Sequence, residues 1–466
     1  MTTKRIIAYS PTPKLGLGFP ERSLNAALKK GLDYICGDCG GTDSGPYDLG
    51  SGENTTHAAE GIRRDLETLL KVSIDQKIPL LIGTAGHAGG DPHLQSTRVA
   101  IEQILASNNL HATVAYIHSE QRKEFLKSKL SQGKIKPLNP WGFSKVYPID
   151  NQIIDASNRI VGVMGIEPYM DALKQGADVV VAGRSSDPAI VASGPIGRGF
   201  APGPVWHAAQ IICDGTTDGP DRQPDGMIAT IYDGSFVVEP ADEKMKLPIS
   251  QLVSLAMHET GSPYIMHLPG GILHTKDCKY EQLTEREVRV TGSRFEPTPY
   301  TVKLEGTRME GYRTVFFGGV RDPQIISQVD VWLASFKALL EENLRSLYGR
   351  PLRPEEFAIY FRVYGKNAVM GSLEPIKDTK AHEILVLVEI VASSEEISYD
   401  IGMRARQLLS HFDPPSGSKS GNPIAIPFSP QPLRAGSVYR WTMNHVVEIE
   451  DHKELQQMFP MELVKY

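Results

Sequence analysis

The sequence predicts an α/β fold: a doubly wound, mainly parallel sheet with helices on both faces, followed by smaller α+β regions. Three observations predict it. Over residues 4–197, short apolar runs alternate with amphipathic stretches at the spacing of βα units. The runs empty into loops rich in Gly, Ser or Asp, the composition of strand-to-helix turns. After about residue 222 the pattern changes to the apolar–polar alternation of antiparallel strands.

Residues 4–9 (KRIIAY) read as the first strand and Glu21 to Lys30 as a short helix. Leu32 to Asp38 (LDYICGD) is the second strand, and a helix over 55–76 carries Ile62, Leu66, Leu69 and Leu70 on one face. The third unit joins a strand over Ile78 to Ile82, the glycine-rich loop GTAGHAGG and a helix with Val99, Ile101 and Ile104 on its apolar face. Asp91 suits that helix's N-cap and Pro92 its first position, where a missing N–H costs nothing. Residues 112–120, 159–165 and 177–183 are strands four to six, and the helices after the last two open on Glu167-Pro168 and Asp187-Pro188. Antiparallel strands are expected over 227–239, 287–293 and 300–307, around a helix over 247–261. A long helix from Asp330 to about Tyr348, strands over 357–365 and 382–393, and a helix from Glu396 to His411 give the last third an α+β style. The stretch 413–432 reads as a surface loop that packs locally or lines a site.

A chain of 466 residues exceeds one ordinary core. The expected division is 1–222, a parallel α/β domain with the candidate site; 223–329, a mixed β-rich region; and 330–466, an α+β C-terminal domain. A net charge of −6 argues against a nucleic-acid partner. The N-terminus MTTKRIIAYSP lacks a secretory apolar core and no apolar run approaches a membrane span, so a cytoplasmic protein is expected. Four cysteines make no disulfide framework. The expected partners are a small anionic substrate and other copies of the chain, as a homo-oligomer.

In a parallel sheet the carboxyl ends of the strands share one edge, where ligands bind. That edge would collect Asp38, Asp43, His87, Asp91, His118, Glu167, Arg184 and Asp187, the groups of acid/base or metal chemistry. His87, Asp91 and His93 are candidate ligands for a divalent metal ion, although their spacing matches no zinc helix motif and H-E-x-x-H is absent. Alternatively Gly86, Gly89 and Gly90 would hold an anion on backbone N–H groups at a helix N-terminus. The loop has neither the G-x-G-x-x-G order nor a Walker pattern, so no nicotinamide or flavin signature is present. Arg184 would grip a carboxylate with Asp187 orienting it, or form a structural ion pair with a neighbouring acid. Cys36 and Cys39 form a lone C-x-x-C; Cys36 falls inside an apolar strand and reads as a buried, inert thiol. There is no G-x-S-x-G. Asp322, Glu374 and His445, in later loops or strand ends, could reach the cleft from another domain or a neighbouring subunit, or serve as caps, turn residues or surface groups, the favoured reading.

LDYICGD, LLIGTAGHAGGDP and GADVVVAGRSSDPAIV resemble the acyclic terpene utilisation (AtuA-like) family, as do DGSFVVEP, HETGSPYIMHLPGGIL and YTVKLEGTRMEGYRT in the same order. The likeness covers most of residues 1–330, and the region from FRVYGKNAVMG to VYRWTMNHVVE resembles a C-terminal extension of some members, related to a small partner protein often encoded beside them. The resemblance implies a role in bacterial breakdown of branched or acyl-CoA-linked acids. The loop after strand three is shorter in the family, roughly N-A-G-G-x-N-P, which sets His87 and His93 apart from the pattern; Asp38 and Gly183 to Asp187 fit it better.

These readings give three functional expectations. The first is an enzyme of small organic-acid or acyl-CoA catabolism, a lyase of the hydratase type acting next to a carboxylate or carbonyl. Asp38, His87, Asp91 and Asp187 would be catalytic, with Gly86, Gly89, Gly90, Arg184 and Asp43 binding substrate. The second is a metal-dependent hydrolase or ring-opening enzyme using a metal-bound water. The third is a non-catalytic subunit that binds an acyl ligand within a larger complex.

Overall fold

The computed structural model describes residues 4–138, 148–216, 223–257, 261–353, 356–376, 381–414 and 421–466. Two compact units divide the chain: one is Met1–Arg308 with Trp441–Tyr466, the other Met309–Arg440. The boundary expected at 222 lies outside the described residues, and the helix expected over 247–261 spans Ile249–Ala256.

In the first unit, β1 (Arg5–Ser10) leads to α1 (Glu21–Lys29) and β2 (Tyr34–Asp38). After β2 come the short α2 (Pro46–Ser51) and α3 (Ala59–Gln76), then β3 (Leu80–Gly83) and α4 (Asp91–Ser107). β4 (Thr113–Ile117), α5 (Lys123–Ser131), β5 (Ile135–Pro137), α6 (Asn151–Ala156) and β6 (Arg159–Val163) continue the chain. α7 (Glu167–Lys174) precedes β7 (Val179–Ala182), whose four apolar residues are all buried, as a strand covered on both faces requires. α8 (Asp187–Gly197) and α9 (Pro202–Ile212) are buried nearly all round, so they belong inside the protein. A hairpin of β8 (Met227–Tyr232) and β9 (Ser235–Pro240) follows, then α10 (Ile249–Ala256) and the short strands β10 (Ile265–Leu268), β11 (Gly271–His274), β12 (Lys279–Gln282), β13 (Val288–Thr291) and β14 (Arg294–Pro297).

β15 (Thr301–Val320) leads into the second unit, where α11 (Pro323–Ser327), α12 (Val329–Tyr348), β16 (Phe357–Tyr364), β17 (Ile384–Ala392) and α13 (Glu395–Leu409) form an α+β arrangement. There β17 pairs antiparallel with β16 and with Tyr312–Val320 of β15, and Trp332, Phe336, Leu340, Val386, Val388 and Ile401 build the core. β18 (Leu433–Glu448) returns to the first unit, which α14 (His452–Met458) and β19 (Met461–Lys465) complete.

The large sheet of the first unit has the order β12-β13-β9-β8-β1-β2-β3-β7-β4-β19. Its centre, β1-β2-β3-β7-β4, is parallel, and its flanks, including β8 against β1 and β19 against β4, are antiparallel. Alternate strand residues enter two apolar clusters. Ile6, Ala8, Leu81 and Val180 join residues of α8 and α9, whereas Ile7, Tyr9, Ile82 and Val181 join residues of α3 and α4. The fold is thus a mixed α/β sheet with a parallel centre, rather than parallel throughout. One expected member leaves it: β6 pairs antiparallel with Lys303–Thr307 of β15. The sequence shows an apolar run over 159–165, but the choice of partner depends on β15, nearly 150 residues later, and is invisible locally.

Candidate active site at the carboxyl ends of the parallel strands

Because β1, β2, β3 and β7 run parallel, Lys14, Asp38, the Thr84–Gly90 loop and Arg184–Asp187 follow strands that end on one edge. Leu15, fully buried, donates its amide to the Asp38 carbonyl (2.8 Å), which lays the loop after β1 against the end of β2. Asp65 of α3 gathers the same loop by accepting the amides of Gly16 (2.7 Å) and Gly18 (3.0 Å). Lys14 is thereby brought into direct ion-pair contact with Asp38, with its Nζ 3.6 Å from Asp187 and 3.7 Å from Asp214. Asp38 Oδ2 takes the lysine, while Oδ1 is buried without a hydrogen-bond partner. Burial, and next the neighbouring Asp187, push the Asp38 carboxyl up to about 8 against the opposing pull of Lys14. Burial opposes the charge on Lys14, but Asp38, Asp187 and Asp214 together hold its ammonium above the ordinary lysine range. On balance the Asp38 carboxyl holds its proton to a much higher pH than an ordinary aspartate.

Arg184 sits just beyond β7 with most of its side chain buried. Its Nε donates to Glu305 Oε2 (3.0 Å), its Nη1 donates to the Ser185 carbonyl (2.9 Å) and lies 3.8 Å from Asp187. Glu305 also accepts from Thr42 Oγ1 (2.9 Å) and pairs with Lys303 (2.7 Å). Burial opposes ionisation of Glu305, yet Arg184 and Lys303 bring it down to about 2, so the pair is fully charged. The ion-pair alternative for Arg184 is therefore present, with Glu305 as the acid. Nη2 makes no hydrogen bond among the described residues.

The glycine-rich loop coils tightly, with Thr84, Gly86, His87 and Gly89 all at positive φ. A Cβ on Gly86 would lie 2.7 Å from the His93 Cβ and carbonyl, and one on Gly89 would collide with the Arg184 backbone. The Gly89 carbonyl accepts from the amide of Arg184 (3.0 Å) and from Ser119 Oγ (2.6 Å), so this glycine docks the β3 loop onto the β7 loop. At the start of α4 the Asp91 amide donates to Glu120 Oε1 (2.9 Å), which also pairs with Arg159 (2.6 Å). An internal carboxylate thus stands where an anionic ligand was expected beside Gly90 and Asp91. Asp91 is the first helical residue rather than the cap, and its carboxylate pairs with His118 (2.9 Å).

His87 turns elsewhere. Its Nε2 lies 3.0 Å from Thr56 Oγ1, 3.1 Å from Ser44 Oγ and 3.3 Å from Asp48 Oδ2. Asp48 is the hub, accepting also from Thr55 Oγ1 (2.6 Å) and Thr56 Oγ1 (3.2 Å). Serine and aspartate approach the same ring nitrogen, so this is not a Ser–His–Asp relay, in which they take opposite nitrogens. Nδ1 is buried, unpartnered and close to Gly40, and burial first of all lowers the imidazole's pKa. Asp43 stands exposed nearby and contributes to the field on His87.

The expected metal set is not assembled. His93 donates from Nε2 to the Glu53 carbonyl (2.9 Å), Asp91 faces His118 and His87 faces Asp48. The tight loop and the α4 geometry, in which residues two apart do not share a face, separate them. Among the described residues, the group able to hold a metal is Asp38, Asp187 and Asp214, with ligand atoms within 4.8 Å of one another. Lys14 already contacts all three. Cys36 and Cys39 are free, buried thiols, raised by burial. Glu167 is also partly buried, accepting from the Tyr300 hydroxyl.

Sequence reasoning missed Lys14, Asp214, Thr42 and Glu305. Lys14 had a signal, since the loop after β1 ends on the same edge as the others. Asp214 follows α9, which shows no amphipathic period because every side is buried. Glu305 reaches the site only through the pairing of β15 with β6.

Residues 18–197 and 227–409 match the family described as acyclic terpene utilisation family protein AtuA. The match runs past residue 330 through α13 of the second unit, into the region read as a C-terminal extension of some members. No curated protein and no solved structure matches the chain. No helix among the described residues is long and apolar enough to cross a membrane.

Proposed function

The chain belongs to the acyclic terpene utilisation family, AtuA, and we propose that it is an enzyme of small organic-acid or acyl-CoA catabolism, a lyase that adds or removes water next to a carboxylate or carbonyl. The observation that carries this reading is the placement of Asp38: buried, in contact with Lys14 and beside Asp187, so that its carboxyl is pushed well above the ordinary aspartate range. A neutral carboxyl beside a fixed cation suits a general acid, which here would protonate a departing hydroxyl. Asp187, on the more open side of Lys14, would take the proton from the carbon next to the carbonyl. Arg184, anchored through Nε and Nη1, would meet the substrate carboxylate with Nη2. His87 lies in a separate network, so its part is the placement of the loop bearing Ser44 and Asp43.

The test is turnover on a panel of CoA thioesters and free hydroxy and unsaturated acids. Asp38→Asn and Arg184→Ala are each expected to lose activity by about a hundredfold or more. Near-wild-type turnover in both variants contradicts the reading. One observation favours a metal-dependent hydrolase instead, the three-carboxylate group of Asp38, Asp187 and Asp214, whose oxygens suit a hard divalent cation. That reading requires Lys14 to give up its place. Magnesium or manganese that raises the melting temperature of Lys14→Ala but leaves wild type unmoved would support occupation of the position by lysine.

A further inference from the structure

A second cavity in the first unit, about 200 Å³, lies between α9, α10 and the strands β10 to β12, and none of its lining residues belongs to the Asp38 cluster. Val253, Met266, Leu273 and Tyr280 supply apolar walls, with methionine adaptable to a flexible guest. Its polar floor is His207 with Cys278. His207 is 2% exposed; its Nδ1 lies 2.8 Å from Ser293 Oγ and 3.7 Å from Cys278 Sγ, while Nε2 makes no hydrogen bond. Burial lowers the imidazole to about 4, so the floor is neutral and offers no counter-charge to an anion. The cation is at the rim: Lys276 lines the cavity, is exposed, and has no ion-pair partner among the described residues.

We infer that this cavity binds an aliphatic monocarboxylate, with the hydrocarbon chain against Val253, Met266 and Leu273 and the carboxylate on Lys276. The charge is placed by Lys276 at the mouth and the absence of charge at the floor; the chain is placed by the apolar walls. A space of about 200 Å³ holds roughly seven water-sized groups, hence a chain of about eight carbons. Nothing in this assignment depends on the chemistry at Asp38.

Calorimetric titration of the full chain with straight-chain carboxylates from butanoate to dodecanoate tests it. Affinity is expected to rise about fourfold per methylene and to level off near eight carbons. Octylamine should bind more weakly than octanoate, and Lys276→Ala should weaken octanoate while leaving 1-octanol unchanged. Cys278 is the only one of the four cysteines that is not buried. Octanoate should therefore slow its alkylation by iodoacetamide, read by peptide mass spectrometry. Arg184→Ala should retain octanoate binding, which separates this cavity from the Asp38 cluster. Affinity independent of chain length, octylamine binding as well as octanoate, an unprotected Cys278, or loss of binding in Arg184→Ala would overturn the assignment.

Discussion

Asp38 illustrates how a single buried carboxyl couples stability to function. In an unfolded chain it would release its proton near 3.8, whereas the folded protein keeps it until about 8. Between these values the folded state binds the extra proton, so this contribution to stability is complete below pH 3.8 and is lost as pH rises through 8. Asp38→Asn removes the titration and should flatten the dependence of melting temperature on pH across that window; an unchanged slope contradicts it. His87 presents a second cost, a φ of 89° on a residue with a side chain, worth about 1–2 kcal/mol. Its bond to the Asp48 hub offsets that strain. Asp48→Ala leaves the Thr55 and Thr56 hydroxyls and His87 without their shared acceptor and should destabilise by about 2–3 kcal/mol in urea melts. A change below about 0.5 kcal/mol would show that the hub is slack.

Among the elements, α4 shows why a helix N-terminus in a sequence need not become an anion site. Glu120, one βα unit away, accepts the Asp91 amide and binds Arg159. Glu120→Gln should cost about 1 kcal/mol by weakening the cap and its interaction with the helix dipole, measured by thermal or chemical melts. If the variant is as stable as wild type, the helix start is satisfied by other means. The strands of the parallel centre were legible because each is a short, largely apolar run bounded by turn residues. The spans 34–38, 113–117 and 179–182 fall inside the expected ones, and 80–83 overruns the expected 78–82 by Gly83. Legibility fails where a partner is distant or a periodicity is absent. α9 is apolar on every side and gives no amphipathic signal. β6 reads as another parallel strand until β15 claims it. Asp214 follows α9 and Glu305 lies on β15, so these two acids were hidden for the same reason as the elements that bring them in. Arg184 and Asp187 were legible because β7 and the acid–proline start of α8 are both local signals.

At the scale of the whole chain, the last residues matter more than their position suggests. β19 pairs along its length with β4, from Met461 opposite Ile117 to Lys465 opposite Thr113. Tyr466 adds a bond from its hydroxyl to Glu102 (2.7 Å), and Lys129, itself buried, pairs with Glu454 (2.6 Å). β19 lies beyond the family match, which ends at 409, yet it forms one edge of the ten-stranded sheet. Truncation after Pro460 uncovers β4, and an unpaired edge invites association. The truncated chain should melt at lower temperature and aggregate in light scattering; unchanged behaviour would mean that the edge is protected without β19. The division into two units, with the C-terminal segment returning to the first, is of this long-range kind and has no local composition signal.

Asp38 holds its proton far above the ordinary aspartate range because burial and the neighbouring Asp187 outweigh the pull of Lys14. The most direct measurement is a carboxyl carbon NMR titration of protein labelled on aspartate, with the Asp38 signal identified by its disappearance in Asp38→Asn. A midpoint near 8 is expected. A midpoint near the ordinary aspartate value of 3.8 would contradict it and remove the general acid from the proposed reaction.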